Sequence, residues 1–224
     1  MCVIFNLFLA FVWLTPTSGD CPPQGYDSVQ PFSASSYFSG TWYSVKQQEV
    51  PYQPAYTLSC VSATYTLRPT FWCKIFQCQD TQVDVVNRGR PLLGWIPFGA
   101  NLVGYIPNKK DASKVIVGNP FTPYLSQITN IDTNYWVVAA GKFSDLSEDY
   151  RNKDGGVYDW AIITVGAAVQ ETTSGKCLPG RNGGFWLFSR SPQPGLDIIN
   201  AIEKKAEDLG LDTSVLLTVD HTNC

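Results

Sequence analysis

The side chains able to do covalent or acid–base chemistry are few: the 224-residue chain has seven cysteines and one histidine. That histidine, His221, stands in the C-terminal tail. Catalysis by a nucleophile or an acid–base pair needs a second group to activate the first, and no Ser/His/Asp or Cys/His arrangement can be built around His221. A zinc site is equally unsupported, because Cys73 and Cys78 lack a second close pair of ligands to complete a tetrahedral set. No metal is therefore expected. Cys2 aside, the cysteines are Cys21, Cys60, Cys73, Cys78, Cys177 and Cys224, an even set that in an exported chain reads as a disulfide framework. Counting alone leaves the pairing open.

Export is predicted by the segment Met1 to Gly19. An apolar run from Val3 to Leu14 leads into Thr15-Pro16-Thr17-Ser18-Gly19, small residues of the kind that signal peptidase cuts after, although the leader opens without Lys or Arg. The run is too short to span a bilayer, which takes about 20 apolar residues. No later stretch is long and charge-free enough either, so no integral membrane span is expected. The mature chain, residues 20–224, is expected to be secreted or to reside in the lumen of the secretory pathway. With 44% hydrophobic and 16% charged residues the full 224-residue chain has the composition of one globular domain with a sizeable core. A formal charge of −3, with basic runs no longer than Lys109-Lys110 and Lys204-Lys205, speaks against a phosphate-tracking groove, so no nucleic acid partner is expected.

The elements that must hold any site are strands. From Trp42 to Arg190 the chain is rich in β-branched and aromatic residues broken by Gly, Pro, Asn and Asp. Strands are predicted at Gly40–Gln47, Cys60–Leu67, Phe71–Gln77, Gln82–Asn87, Asn101–Ile106, Lys114–Val117, Tyr135–Ala140, Tyr158–Val165 and Phe185–Ser189, with turns at Asn87-Arg88-Gly89, Asn108 to Asp111, Asn152 to Gly156 and Asn182-Gly183-Gly184. One late helix is predicted from the helical spacing of Leu196, Ile198, Ile199, Ile202, Ala206 and Leu209, stopped by Gly210. Many short strands and one helix with a single apolar stripe predict an all-β barrel with the helix docked on its outside. Closure would also remove the exposed strand edges.

Several ordered motifs carry a family resemblance. Phe38-Ser39-Gly40-Thr41-Trp42-Tyr43 resembles the G-x-W opening of lipocalins. Asn134-Tyr135-Trp136-Val137-Val138, Tyr158-Asp159-Trp160-Ala161-Ile162-Ile163 and Phe185-Trp186-Leu187-Phe188-Ser189-Arg190-Ser191-Pro192 stand in the order of the last barrel strands of the apolipoprotein D and bacterial outer-membrane lipocalin branch. Gly104-Tyr105-Ile106-Pro107, Lys114 to Val117 and Leu209 to Ser214 are similar to that branch too. The resemblance runs from Phe38 to Ser214 and implies an eight-stranded antiparallel up-and-down barrel over about residues 38–192, a C-terminal α-helix at about 195–209 and a disulfide-tethered tail at 210–224. Two loops, Ser144 to Val157 and Glu171 to Gly184, look longer than in that branch, and Ile131-Asp132-Thr133-Asn134-Tyr135 only approximates the family's threonine-aspartate-tyrosine signature.

The resemblance also implies roles for residues. Gly40 makes the sharp approach to the first strand, Trp42 plugs the closed end and Arg190 lies across its indole as a cation–π lid. Strand alternation then turns Phe188 and Trp186 inward, and the family places Tyr158, Trp160 and Ile162 on the inner face with them, Tyr135 and Tyr65 completing the ligand-binding set. Cys60 stands in the register of a cysteine tied to the C-terminal tail, implying Cys60–Cys224, with Cys21–Cys177 and Cys73–Cys78 as the remaining pairs. The implied function is to bind and carry a small hydrophobic ligand, such as a retinoid, fatty acid, sterol, carotenoid or bilin, in the barrel cavity. No cofactor is covalently implied; a lipid or pigment is the bound species expected. Two alternatives stand beside it: a lipocalin-fold enzyme acting on an apolar substrate, isomerase-like or de-epoxidase-like, which would need a free thiol or an acid–base pair, and a lipocalin that binds a protein partner through its open-end loops.

Overall fold

The computed structural model describes residues 20–69, 81–91, 98–119, 132–147, 157–180 and 183–224. The leader Met1–Gly19, the strand predicted at Phe71–Gln77 with Cys73 and Cys78, and the turn predicted at Asn152–Gly156 lie outside the described residues.

After a one-turn helix α1 (Ala34–Tyr37) come strands β1 (Ser39–Gln48), β2 (Ser59–Pro69), β3 (Thr81–Arg90), β4 (Phe98–Tyr105), β5 (Lys114–Gly118), β6 (Tyr135–Gly141) and β7 (Trp160–Thr164). A small hairpin of β8 (Gln170–Glu171) and β9 (Cys177–Leu178) follows, then β10 (Phe185–Ser189), the helix α2 (Leu196–Asp208) and a short tail strand β11 (Leu216–Thr218). Each of β1 to β7 pairs antiparallel with the next, β10 pairs with β7, and β10 returns to pair with β1, so eight strands close the barrel. This is the predicted fold, with strand positions close to those read from the alternation of side chains. The two hairpin strands and β11 were not anticipated, being too short to show a period.

The tail has a defined place in the wall. β1 pairs with β2 only from Ser39 to Tyr43, and further up, at Lys46 to Gln48, β11 pairs with β1 instead. Asp220 then bridges to Ser59 of β2, and the Cys60 amide donates to the Asp220 carbonyl at 2.8 Å. The tail thus fills the wedge left where β1 and β2 splay apart. The Cys60–Cys224 disulfide, with Cα atoms 5.5 Å apart, pins it there.

Both faces of the barrel wall are covered. The inner cluster includes Trp42, Tyr65, Val83, Val85, Val115, Val137, Ala161, Ile163 and Phe188. On the outside, Ile198, Ile202 and Ala206 recur every four residues along α2 and bury against Val45, Trp160, Ile162, Phe185 and Leu187. Each buried isoleucine contributes about 2–3 kcal/mol at this level of burial. Lys46 of β1 and Glu203 of α2 form an ion pair at 2.6 Å across the same seam. Leu196, assigned to the apolar stripe from its spacing, is instead 76% exposed, because it occupies the first turn before the helix meets the wall.

The N-terminal segment straps the closed end. The Val29 amide donates to Val137 O at 2.8 Å, and Ser28 Oγ and Gln30 Nε2 both donate to Asp111 Oδ1 at 2.8 Å. Lys114, paired with Asp27 and Asp111, lies 4.1 Å over the Trp136 ring. The Cys21–Cys177 disulfide, with Cα atoms 5.7 Å apart, joins this segment to β9. Of the two loops that look long, Ser144–Val157 joins β6 to β7 at the end where Gly141 pairs with Trp160, next to Arg190, so its described ends lie at the closed end of the barrel. Glu171–Gly184 leaves the open end but carries β9, whose Cys177 bridges to Leu211 and packs with Leu178 in the outer core beside α2. Neither is a loop reaching freely from the mouth over its described residues.

Candidate ligand-binding site

The closed end is sealed by stacked side chains. Gly40 holds φ +69°, a left-handed conformation that glycine adopts without strain and that turns the chain from α1 into β1. Trp42, fully buried, donates from its indole nitrogen to Tyr37 O at 3.0 Å. The Arg190 guanidinium lies 3.8 Å from the Trp42 ring centroid and donates to the carbonyls of Thr41, Ser36 and Tyr37 at 3.0–3.1 Å. A desolvated cation–π contact of this kind is worth about 2 kcal/mol. Burial pushes the Arg190 pKa down, and the carbonyl acceptors replace the water it lost.

Above this plug the barrel is hollow. A cavity of about 600 Å³ is bounded by Tyr65, Tyr135, Trp186 and Phe188, by aliphatic side chains of β2 to β5 including Val61, Val85, Leu102 and Val117, and toward the mouth by Tyr52, Gln53, Arg88 and Phe98. That volume lies within the ~300–1,000 Å³ typical of small-molecule sites. It decides between the two uses of aromatic side chains inside a barrel: they wall a space here and do not fill it. Arg88 is the one charged side chain among the described lining residues. Tyr52, 69% exposed, lines the rim, and the fully buried Gln47 pins the loop that carries it by donating from Nε2 to Gln53 Oε1 at 3.0 Å.

Three tyrosines divide cavity from plug. Tyr135 Oη lies 2.8 Å from Tyr37 Oη and 3.0 Å from Tyr65 Oη. Tyr37 packs against Trp42 in a tilted arrangement with ring centroids 5.0 Å apart, so the hydroxyl cluster rests directly on the base plug. Burial pushes all three tyrosine pKa values well above the ordinary range; for Tyr135 the neighbouring Tyr37 and Tyr65 add to the effect, whereas for Tyr37 the charge of Tyr65 adds to it and the bond to Tyr135 opposes it.

Four of the residues assigned to the ligand from the sequence, Tyr65, Tyr135, Trp186 and Phe188, do border the cavity. The other three do not. Trp160 and Ile162 lie on the opposite face of β7, in the cluster beneath α2, where the Trp160 indole donates to Lys142 O at 2.8 Å. The pairing explains this correction: Trp186 stands opposite Ile163, and Phe188 opposite Ala161. Directly opposed residues on antiparallel strands share a face, so Ala161 and Ile163 are the inward residues. Tyr158 precedes the strand and belongs to the plug, where its hydroxyl accepts from the Ser33 amide at 2.9 Å and its ring stacks on Phe32 at 5.7 Å. Sequence reasoning missed Tyr37, which stands in α1 outside any strand pattern, and the rim residues Tyr52 and Gln53, which stand in a loop. His221 sits on the outer face, 93% buried, with Nε2 2.8 Å from Ser44 O and its ring edge-on to Tyr43.

A closed antiparallel eight-stranded barrel, plugged at one end by a Trp–Arg stack and flanked by a C-terminal helix, is the lipocalin fold. Superposition on one solved structure agrees at the level of fold. Apocrustacyanin C2 superposes with a TM-score of 0.50 at 14% identity, covering 85% of this chain and 81% of that one. Lobster apocrustacyanin A1 gives a TM-score of 0.48 at 14% identity over 83% of this chain and 78% of its own, and the allergen Per a 4 from cockroaches gives 0.44 at 15% over 88% and 98%. No family model and no curated protein sequence matches the chain.

Proposed function

We propose that this protein binds and carries a small hydrophobic molecule in the barrel cavity, as an exported lipocalin near the apolipoprotein D and bacterial outer-membrane branch. The observation that carries the reading is the cavity of about 600 Å³ with aromatic and aliphatic walls and a few polar groups, the composition expected where apolar burial gives affinity and isolated polar groups give orientation. Export is supported by the two disulfides that tie the chain ends to the barrel. Carriage without catalysis is our reading, because the cavity lining holds no acid–base pair or thiol among its described residues. The bound species is a lipid or pigment held without a covalent link.

Two measurements test this. Absorbance and mass spectrometry of an organic extract of the native protein should reveal a stoichiometric apolar molecule. Protein stripped of that molecule should bind at least one of a retinoid, fatty acid, sterol, carotenoid or bilin saturably, quenching tryptophan fluorescence through Trp186. Trp186→Ala should weaken a well-fitting ligand about tenfold or more, on the scale of roughly 25 cal/mol per Å² of apolar contact. Absence of saturable binding across all five classes would overturn the proposal.

A further inference from the structure

The hydroxyl cluster at the cavity floor has more protons than it uses. Tyr37, Tyr65 and Tyr135 bring three O–H donors, and the cluster contains two hydrogen bonds, both to Tyr135. Each bond consumes one proton, so one donor is left over, and no other partner among the described residues accepts it. Its position follows from burial. Tyr37 is 0% exposed and outside the cavity lining, so a spare proton there would be an orphan in an enclosed site, one of the costlier defects a fold can carry. Tyr37 therefore donates to Tyr135. The spare donor then sits on Tyr135 or on Tyr65, according to which of the two donates to the other, and both of these border the cavity. Either way the spare donor belongs to a residue that borders the ligand space.

Resting on the carrier reading above, we propose that the ligand is oriented by this cluster: it enters with a neutral oxygen acceptor leading, a carbonyl or hydroxyl that takes the one spare tyrosine proton at the floor. A carboxylate-first orientation is disfavoured. The described lining has no cation except Arg88, which stands near the end of β3 toward the mouth, and the Arg190 guanidinium is turned to the backbone carbonyls of Ser36, Tyr37 and Thr41. Burying a carboxylate at the floor would leave it without a compensating charge. An acid-bearing ligand would place its acid at the mouth beside Arg88, and a pure hydrocarbon would leave the floor proton unpaired.

The proton count makes an unusual forecast for variants. Tyr65→Phe leaves Tyr37 donating to Tyr135 and Tyr135 free to donate to the ligand. Tyr135→Phe leaves Tyr65 free to do so, and because it also removes the acceptor of the buried Tyr37 hydroxyl it should lower stability while keeping the donor to the ligand. Only removal of both cavity-facing hydroxyls abolishes the donor, and Tyr37→Phe in the same background also removes the buried orphan, giving an apolar floor that should fold.

The test uses stripped full-length mature protein and β-ionone, a small neutral conjugated ketone, labelled with carbon-13 at the carbonyl. Affinity is read by tryptophan quenching and hydrogen bonding by the carbonyl stretch in difference infrared spectra. Wild type and both single variants should bind saturably with the stretch moved to lower wavenumber. The Tyr65→Phe/Tyr135→Phe double and the triple variant should return the stretch to its value in a non-hydrogen-bonding solvent and bind the ketone roughly three- to tenfold more weakly. A saturably bound ketone with an unshifted stretch in wild type, or a shift that survives in the triple variant, overturns the orientation proposal and leaves the carrier reading standing. No saturable binding of the ketone overturns the floor site for this probe, and the carrier reading is then judged on the five-class titration alone.

Discussion

Arg190 lies flat over Trp42, its guanidinium carbon 3.8 Å from the indole centroid, while its nitrogens reach three backbone carbonyls of the segment from Ser36 to Thr41. One side chain thereby fixes α1, the start of β1 and the end of β10 together. Trp42→Ala should lower stability by about 3–5 kcal/mol, the range for truncating a buried aromatic, and the melting temperature by on the order of 10 °C for a chain of this size. Arg190→Lys keeps the charge but not the planar fork, so it should restore only part of what Arg190→Ala loses. Thermal unfolding of the three variants checks this; equal melting temperatures for wild type and both alanine variants would contradict the role of the stack.

Gly184 and Trp186 form the opposite pair, at the open end. A Cβ on Gly184 would fall inside the Trp186 indole, so only glycine lets that ring lie where it borders the cavity. Gly184→Ala should displace the indole with little loss of global stability, and should weaken an apolar ligand by about tenfold, comparable to Trp186→Ala. Ligand titrations of the two variants beside a melting curve separate the effects. Unchanged affinity in Gly184→Ala would show that the ring contributes no wall.

The sequence reveals the eight barrel strands, the helix and the base plug because each leaves a local or motif-level signal: alternation in β1 and β2, helical spacing at Ile198, Ile202 and Ala206, and Gly40, Trp42 and Arg190 in the lipocalin-like motifs; the two observed disulfides are legible only through the family resemblance. It does not reveal which face of β7 is inside. All five residues from Trp160 to Thr164 are buried, one face in the barrel and the other under α2, so hydrophobicity does not alternate and cannot give direction. Only the register against β10 breaks the tie, and that is a property of the folded sheet. Tyr37 is illegible for a different reason: its contribution arises from hydroxyl contacts with residues 98 positions away on β6 and, through Tyr135, with β2.

The tail strand depends on its tether. β11 is three residues long and fills the wedge between β1 and β2, held by the Cys60–Cys224 bond. Non-reducing peptide mapping should recover Cys21–Cys177 and Cys60–Cys224. Replacing Cys224 by Ser should cost up to about 4 kcal/mol in the chain-entropy account of a long loop, and amide exchange should quicken first at Leu216 to Thr218. Protection at β11 equal to wild type would show that pairing with β1 alone holds the tail.

Alkali should unfold this protein steeply, and the tyrosine floor should be the cause. Tyr37, Tyr65 and Tyr135 have pKa values raised above their unfolded value of about 10, chiefly because burial strips water from the phenolate. Below pH 10 all three are protonated in both folded and unfolded chains, so their contribution is constant. Above pH 10 the unfolded chain releases protons that the folded chain retains, which makes the native state the one that binds more protons. Stability must then fall as pH rises, by up to about 1.4 kcal/mol per pH unit for each such tyrosine, until the folded-state values are passed. Urea midpoints measured from pH 8 to pH 12 should be flat at first and then drop sharply. In the Tyr37→Phe/Tyr65→Phe/Tyr135→Phe variant these three groups no longer titrate, and the drop should shrink to the residual slope of the remaining tyrosines, Tyr26 among them, whose pKa is also raised by burial despite its bond to Thr164. A triple variant as alkali-sensitive as wild type would place the linkage elsewhere in the protein.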